Sequence, residues 1–222
     1  CVAYHMTGDE RYLRYARLGL DYLFTKMVDR DGVFYSWVEN GVPEPANARQ
    51  RISQDLAYAL MGPAMYYYLT RDPSVLAVIR RTEKYIFDNY RDGNALRWIN
   101  DRFVDLDETH LPTQKELVAQ LDQINGYMLL MTTVLGGDER TAWLNDMVML
   151  ANTMKYDYYN PELNLFWGRI DGAEYKKLGQ PHVDFGHTGK TLWMMLEIGL
   201  RFDKPALRDF AMANLPRVFR EA

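Results

Sequence analysis

The chain has 222 residues, of which 48% are hydrophobic and 25% charged, with a formal net charge of −4. This length suits one sizeable core. The chain has no excess of basic residues, so we do not expect nucleic acid as a partner. The only cysteine, Cys1, excludes an intrachain disulfide and a cysteine-based zinc site. It also fits a reducing compartment, so we expect a cytoplasmic protein. No apolar run reaches the roughly 20 residues that cross a bilayer, so no membrane partner is expected.

Apolar spacing and turn residues predict alternating helices and short strands along the chain. In chain order we predict an outer helix over Glu10–Val28, a strand over Val33–Val38, an inner helix over Ser53–Thr70, an outer helix over Pro73–Tyr90, a strand over Ala95–Ile99, an inner helix over Lys115–Leu135, an outer helix over Glu139–Tyr158, a strand over Leu163–Ile170, an inner helix over His187–Phe202 and an outer helix from Pro205. The segments 43–47 and 101–112 are predicted loops.

The unit of outer helix, strand, loop and inner helix repeats about every 65 residues. Its turns end in Asp9, Asp72, Asp138 and Asp203, with separations of 63, 66 and 65 residues. Periods of this length are typical of stacked helix hairpins. We therefore predict an all-α fold, an arc of an α/α toroid with its strands and loops on one rim. The rim is the end of the toroid where outer helices end and inner helices begin.

Four stretches carry a resemblance to a known family, and the most specific of them is Phe185-Gly186-His187 followed by Trp193. The others are Tyr4–Leu13, Gly32–Trp37 and Gln54–Leu60. On these motifs the chain resembles the N-acylglucosamine 2-epimerase family, which includes cellobiose 2-epimerases and sugar isomerases. The resemblance implies an (α/α)6 barrel of helix hairpins.

The same resemblance implies that His187 is an acid/base beside carbon 2 of a sugar. In the family a glutamate one helical turn later assists this histidine, but this chain has Lys190 there. The family's second catalytic histidine would fall beyond Ala222. Histidines that some members carry on the preceding inner helix are replaced by Asp122, Gln123 and Asn125.

His187 and Lys190 are the predicted catalytic residues. An imidazole titrates near neutral pH, so it can take and return a proton at a carbon next to a carbonyl. Lys190 lies one turn further along the same face, where a cation would lower the pKa of the imidazole or bind a substrate oxygen. A solvated lysine and a capping histidine are the structural alternatives. His182, on the preceding loop, is a weaker candidate that also fits a surface position.

Substrate binding is predicted for polar residues at the starts of inner helices and for residues of the rim strands. The first group could bind sugar hydroxyls, although capping alone also favours Asp and Asn there. The second group could stack on a sugar ring or bind its oxygens. The first group is Gln54, Asp55, Asp122, Gln123 and Asn125. The second group is Tyr35, Trp37, Trp98, Trp167 and Arg169, and His182 is also a predicted binding residue.

These residues predict a carbohydrate 2-epimerase or aldose–ketose isomerase that acts by proton transfer at carbon 2. One alternative is a glycoside hydrolase of the same fold, with Asp55 and Asp122 as its carboxylate pair. The other is a non-catalytic sugar-binding toroid. No phosphate loop, nucleotide fingerprint or metal-ligand spacing is present, so we expect no cofactor and no metal. We expect one domain over residues 1–222, incomplete at both ends, whose exposed end faces could support a homo-oligomer.

Overall fold

The computed structural model describes residues 1–43, 51–99 and 113–221. The predicted loops at 43–47 and 101–112 lie largely outside these residues. The helices are α1 (Val2–Thr7), α2 (Glu10–Lys26), α3 (Ser53–Thr70), α4 (Pro73–Tyr90), α5 (Leu117–Gln123), α6 (Leu129–Met131), α7 (Gly137–Thr153), α8 (Phe185–Arg201) and α9 (Pro205–Glu221). α3 and α4 have the predicted bounds. The others begin or end within a few residues of them, apart from α5 to α7, where π-helical turns intervene.

Each outer helix begins within two residues of its repeated aspartate, in agreement with the period read from the sequence. Asp9 caps α2 by accepting a hydrogen bond from the Arg11 backbone N–H, and Asp72 caps α4 in the same way through Ser74. Pro73 occupies the first turn of α4, where its missing N–H costs nothing. α3 packs on α4, and α8 packs on α9, as two inner–outer hairpins.

The rim strands are shorter than predicted, and each of the three described hairpins has strands of only two residues. β1 (Val38–Glu39) pairs with β2 (Val42–Pro43), β3 (Arg91–Asp92) with β4 (Ala95–Leu96), and β5 (Tyr159–Asn160) with β6 (Leu165–Phe166). The predicted strand over Val33–Val38 is therefore wrong except at Val38. Phe34 forms one isolated bridge to Val28. An alternating segment without a neighbouring strand of matching length has no ladder to join.

Two π-helical turns interrupt the regular helices, and neither was predicted. One spans Ile124–Met128 and joins α5 to α6, and the other spans Met154–Tyr158 and ends α7. Gly126 lies in the first turn, where a Cβ would come within 2.9 Å of the Ala57 carbonyl oxygen. Glycine therefore lets this π turn approach α3 closely.

The core lies between the inner and outer helices. Its largest fully buried side chains include three tyrosines contributed by α4 and the two π turns, namely Tyr90, Tyr127 and Tyr158. α3 buries one face, which includes Leu56, Ala57, Leu60 and Ala64, whereas Tyr58 is 44% and Met61 40% exposed. The expectation from its apolar composition that this helix is buried on all sides is therefore wrong on that second face. Within the described residues, no helix combines the length and apolarity needed to span a bilayer.

Candidate functional site

The first polar cluster links three inner helices through the carboxylate of Asp122. Asp122 Oδ1 lies 2.5 Å from Lys190 Nζ, and Asp122 Oδ2 accepts a 2.8 Å hydrogen bond from the Gln54 side chain. Trp98 Nε1 donates to Gln54 Oε1 at 3.3 Å. The Asp122 side chain is only 1% exposed, whereas that of Lys190 is 28% exposed. The cluster therefore joins four of the predicted site residues around a buried ion pair.

The second polar cluster lies at the start of α8. The structure begins this helix at Phe185, with Asp184 as its N-cap, rather than at His187 as predicted. Asp184 Oδ1 accepts from the His187 backbone N–H at 2.7 Å, and its Oδ2 lies 2.7 Å from His187 Nδ1. An ionised carboxylate only accepts hydrogen bonds, so Nδ1 carries the proton and Nε2 keeps its lone pair in the neutral ring. No described residue hydrogen-bonds Nε2.

Electrostatics in this cluster favour an ionised Asp184. Burial raises the pKa of Asp184, but hydrogen bonds from the backbone and ring of His187 outweigh that effect and leave the pKa below its ordinary value. The result is an oriented carboxylate–imidazole dyad at a helix N-terminus. The His187 side chain is 32% exposed, which leaves the ring open to a ligand.

His182 lies beside this dyad. The ring centroids of His182 and His187 are 4.8 Å apart, with an angle of 64° between the ring planes. We call these two residues the imidazole pair. His182 Nδ1 lies 3.5 Å from Glu116 Oε2, at the outer limit of a hydrogen bond. The Glu116 carboxylate raises the pKa of His182 above its ordinary value, against the lowering effect of burial.

A cavity of about 300 Å³ opens next to His182, and we call it the rim cavity. Its lining residues come from three rim segments and combine aromatic, amide and charged side chains: Trp98, Gln114, Glu116, Arg169, Tyr175, Gln180, Pro181 and His182. Three of the predicted binding residues, Trp98, Arg169 and His182, therefore share one cavity. An apolar wall with a few convergent polar groups is typical of a small-molecule site.

Backbone pairing positions the charged residues of the rim cavity. Glu116 and Arg169 form an isolated antiparallel bridge, and the Leu117 N–H donates to the Gly168 carbonyl at 2.8 Å. The Arg169 guanidinium makes two 2.6 Å hydrogen bonds to Asp171 and lies 3.7 Å from the centroid of the Tyr175 ring. Its charge is thus already matched within the protein.

The remaining polar residues of the inner helices take separate positions. Burial raises the pKa of Asp55, and a hydrogen bond with Ser36 only partly opposes this. Gln123 donates to the Ser53 carbonyl at 3.0 Å, and Asn125 lies in the π turn Ile124–Met128. Asp122 and Gln123 lie within α5, which begins at Leu117, and neither caps a helix as the capping alternative proposed.

Three of the predicted rim aromatics do not line the rim cavity. Tyr35 lies 5.2 Å from the Arg51 guanidinium, measured to the ring centroid. The Trp37 residue is 59% exposed. Trp167 is half-buried, and its backbone N–H donates to the Tyr158 carbonyl.

Sequence reasoning missed Glu116, Asp184 and Tyr58. Asp184 stands three residues before His187, the spacing of an N-cap and its third helical residue, so the sequence held a local signal for it. Glu116 precedes α5 without any such signal. Tyr58 lies one turn after Gln54, and burial and the Asp122 carboxylate raise its pKa. In the described part of the chain, no three His, Cys, Asp or Glu residues gather as a potential metal site.

Solved structures with a similar fold include three carbohydrate enzymes. A sugar epimerase from a ruminal bacterium aligns over 97% of this chain, with a TM-score of 0.77 and 20% identity. A D-mannose isomerase aligns over 99%, with a TM-score of 0.79 and 14% identity. An unsaturated glucuronyl hydrolase from Bacillus sp. GL1 aligns over 99%, with a TM-score of 0.73 and 17% identity. The chain has the α/α-toroid fold.

This chain spans only about half the length of these neighbours. It covers 55% of the sugar epimerase, 57% of the D-mannose isomerase and 59% of the glucuronyl hydrolase. No protein-family model matches its sequence, and no curated protein matches it significantly. The similarity therefore concerns the fold, and the chemistry is argued from the residues of the site.

Proposed function

We propose that the protein is a carbohydrate isomerase or 2-epimerase, which moves a proton at carbon 2 of an open-chain sugar. The observation that carries this proposal is the dyad of His187 and Asp184. The carboxylate fixes the tautomer of the ring, so that Nε2 can accept a proton from a carbon acidified by the neighbouring carbonyl.

The surrounding residues would bind the sugar. Trp98 offers an aromatic face, and the amides of Gln54 and Gln114 offer donors and acceptors for hydroxyl groups. Lys190 would act by fixing the Asp122 carboxylate, since its Nζ is already bound to Asp122 Oδ1. The epimerase and isomerase among the structural neighbours support this reaction class. A single cysteine fits our proposal that the enzyme works in the cytoplasm.

A glycoside hydrolase remains the second candidate because of Asp55. Burial raises the pKa of Asp55, as a general acid requires, while Asp122 lies beside the cation of Lys190. The hydrolase among the structural neighbours shares the fold. In this reaction Asp55 would protonate a leaving group and Asp122 would serve as base or nucleophile.

One NMR experiment separates the two reactions. The full-length protein is incubated in heavy water with mannose, N-acetylmannosamine and cellobiose in separate tubes. Proton transfer predicts the loss of the carbon 2 proton signal as deuterium enters, whereas hydrolysis predicts glucose from cellobiose without exchange. Asp55→Asn is the matched variant, because it should leave the exchange in place and abolish only a hydrolase. Neither exchange nor hydrolysis with any of the three sugars would contradict the proposal.

A further inference from the structure

The imidazole pair has a geometry that limits which reaction it can perform. The rings touch edge to face, with centroids 4.8 Å apart, so no substrate atom fits between them. A carbon attacked from both faces needs one group about 3 to 3.5 Å away on each side, which would place the two nitrogens about 6 Å or more apart. The pair therefore lies on one side of any sugar that it contacts.

His182 is held in place by several independent features. Its φ is +64°, a left-handed conformation that residues other than glycine seldom adopt. The preceding Pro181 carbonyl packs directly against Gly168, where a Cβ would collide with the carbonyl oxygen. His182 Nδ1 is buried and makes no hydrogen bond to any described residue, and it faces Glu116 at 3.5 Å. A strained residue whose position several contacts fix at a cavity is typical of functional sites.

Glu116 is itself buried and oriented. Its residue is 9% exposed, and its Oε1 accepts a 2.7 Å hydrogen bond from Gln114. The carboxylates of Glu116, Asp184 and Asp122 all raise the pKa of His182, which favours the charged ring. In the described part of the chain, further charged or titratable groups near this region are His187 on α8 and, in the rim cavity, Tyr175 and Arg169, whose charge is matched by Asp171.

We infer that the site is an aldose–ketose isomerase in which His187 moves the carbon proton and His182 moves the oxygen proton. This inference rests on the proposed function and adds a second acid/base to it. His187 takes the proton from C2, the C2–H electrons form the C1=C2 bond, and the carbonyl electrons go to O1, which takes a proton from His182. The neutral His182 then removes the O2 proton, C2=O forms, and His187 returns its proton to C1.

The atoms of this sequence balance without any oxidant, reductant or co-reactant. The carbon proton moves from C2 to C1 on one face of the sugar, and the oxygen proton moves from O2 to O1. Both histidines end in the states in which they began. Isomerisation moves its protons on one face of the sugar, so two adjacent imidazoles are enough for it. Inversion at C2 would require a further group on the opposite face.

The test compares mannose with N-acetylmannosamine in heavy water, with proton NMR of the products. Mannose has a C2 hydroxyl and can give a ketose, while N-acetylmannosamine lacks that hydroxyl and can only epimerise. We expect the full-length protein to convert mannose to fructose and to leave N-acetylmannosamine unchanged. The fructose carries deuterium at C1 because the proton held on the His187 imidazole exchanges with heavy water before it is returned. Glucose as the main product from mannose would overturn the inference while leaving the proposed function standing. The absence of any exchange would overturn both.

Variants then assign the role of His182. His182→Asn suits the left-handed backbone and should keep the fold, as a thermal melt would verify, while fructose formation falls about 100-fold. Glu116→Gln should shift the loss of activity at alkaline pH to lower pH, because the carboxylate no longer supports the charged ring. His5→Asn, on the exposed helix α1, is the control and should change neither rate nor pH profile. Unchanged fructose formation in folded His182→Asn would overturn the inference.

Discussion

Two residues of helix α8, His187 and Lys190, each contact an aspartate, and the two contacts differ in what they connect. Lys190 pairs with Asp122, 68 positions earlier in the chain, whose side chain is 1% exposed. His187 pairs with Asp184 within the same helix end, and the Asp184 side chain is 50% exposed. The first pair crosses between inner helices inside the protein, and the second stays local at the solvent-accessible rim.

Under the proposed function, this difference divides structural and chemical roles between two residues of one short segment. A buried charge must keep its partner, so removal of either member of the Lys190–Asp122 pair should affect the whole fold. Altering a local pair at a helix end lowers the stability only a little. This pair nevertheless sets the tautomer of the His187 ring, whose Nε2 makes no hydrogen bond to any residue that the structure describes.

The largest expected effect is on stability, from Lys190→Met. This change removes the cation that pairs with the buried Asp122 carboxylate, and we expect the free energy of unfolding to fall by about 3 kcal/mol. Urea denaturation followed by circular dichroism measures it. The double variant Lys190→Met with Asp122→Asn should recover much of the loss, because it removes the unpaired charge.

Lys84→Met provides the matched control for Lys190→Met. Lys84 pairs with Asp88 on the outer face of α4, where the two side chains are 73% and 55% exposed. Exposed pairs of this kind contribute about 0.5 kcal/mol or less. Equal losses in the two lysine variants would contradict the structural role of the Lys190–Asp122 pair.

The next effect is on catalysis, from Asp184→Asn. Asparagine caps a helix as well as aspartate, so the free energy of unfolding should change little. The amide no longer holds Nδ1–H as a carboxylate does, and we expect deuterium exchange at carbon 2 to fall about 100-fold. Asp184→Ala should lose the same activity and in addition about 1 kcal/mol of stability. An Asn variant with full exchange would contradict the dyad.

The smallest expected effect concerns Glu83, a half-buried carboxyl on α4. Burial, together with Asp146, Asp88 and Glu139, raises the pKa of Glu83 to about 8. Above pH 4.5 the unfolded chain releases this proton while the folded chain keeps it, so the native state loses stability as the pH rises towards 8. Glu83→Gln should therefore stabilise the protein by about 1 to 2 kcal/mol at pH 8 and by almost nothing at pH 4.

Denaturation of Glu83→Gln at the two pH values measures this difference. Glu174→Gln, at an exposed position, serves as the control and should lie within about 0.5 kcal/mol of the wild type at both. A Glu83→Gln variant that is less stable than the wild type at pH 8 would show that the ionised carboxylate is needed in the folded state.

The sequence predicted the helices well because their signals are local and repeated. Apolar spacing and the Asp-Pro start at Asp72 and Pro73 are enough to place α4, and the repeat then sets the phase of the other outer helices. The strand over Val33–Val38 was wrong because alternation alone does not supply a partner strand. The π turns have no simple sequence signal, since they depend on how neighbouring helices pack.

The candidate site could be predicted only in part, for a related reason. The repeat placed Gln54, Asp122 and His187 on corresponding inner helices, and the structure puts Gln54 and Asp122 in one cluster. The pairing of Lys190 with Asp122 joins residues far apart in sequence, and only their geometry reveals it. Glu116 and the left-handed conformation of His182 depend on loops that pack across the rim, which spacing alone does not describe.

The most direct test of this account measures deuterium exchange at carbon 2 of mannose for His187→Asn and Lys190→Met side by side. Both are assayed at a temperature where circular dichroism shows them folded. The account predicts that exchange falls about 1,000-fold or more in His187→Asn, and stays within about tenfold of the wild type in Lys190→Met. Normal exchange in folded His187→Asn, or loss of exchange only in Lys190→Met, would contradict it.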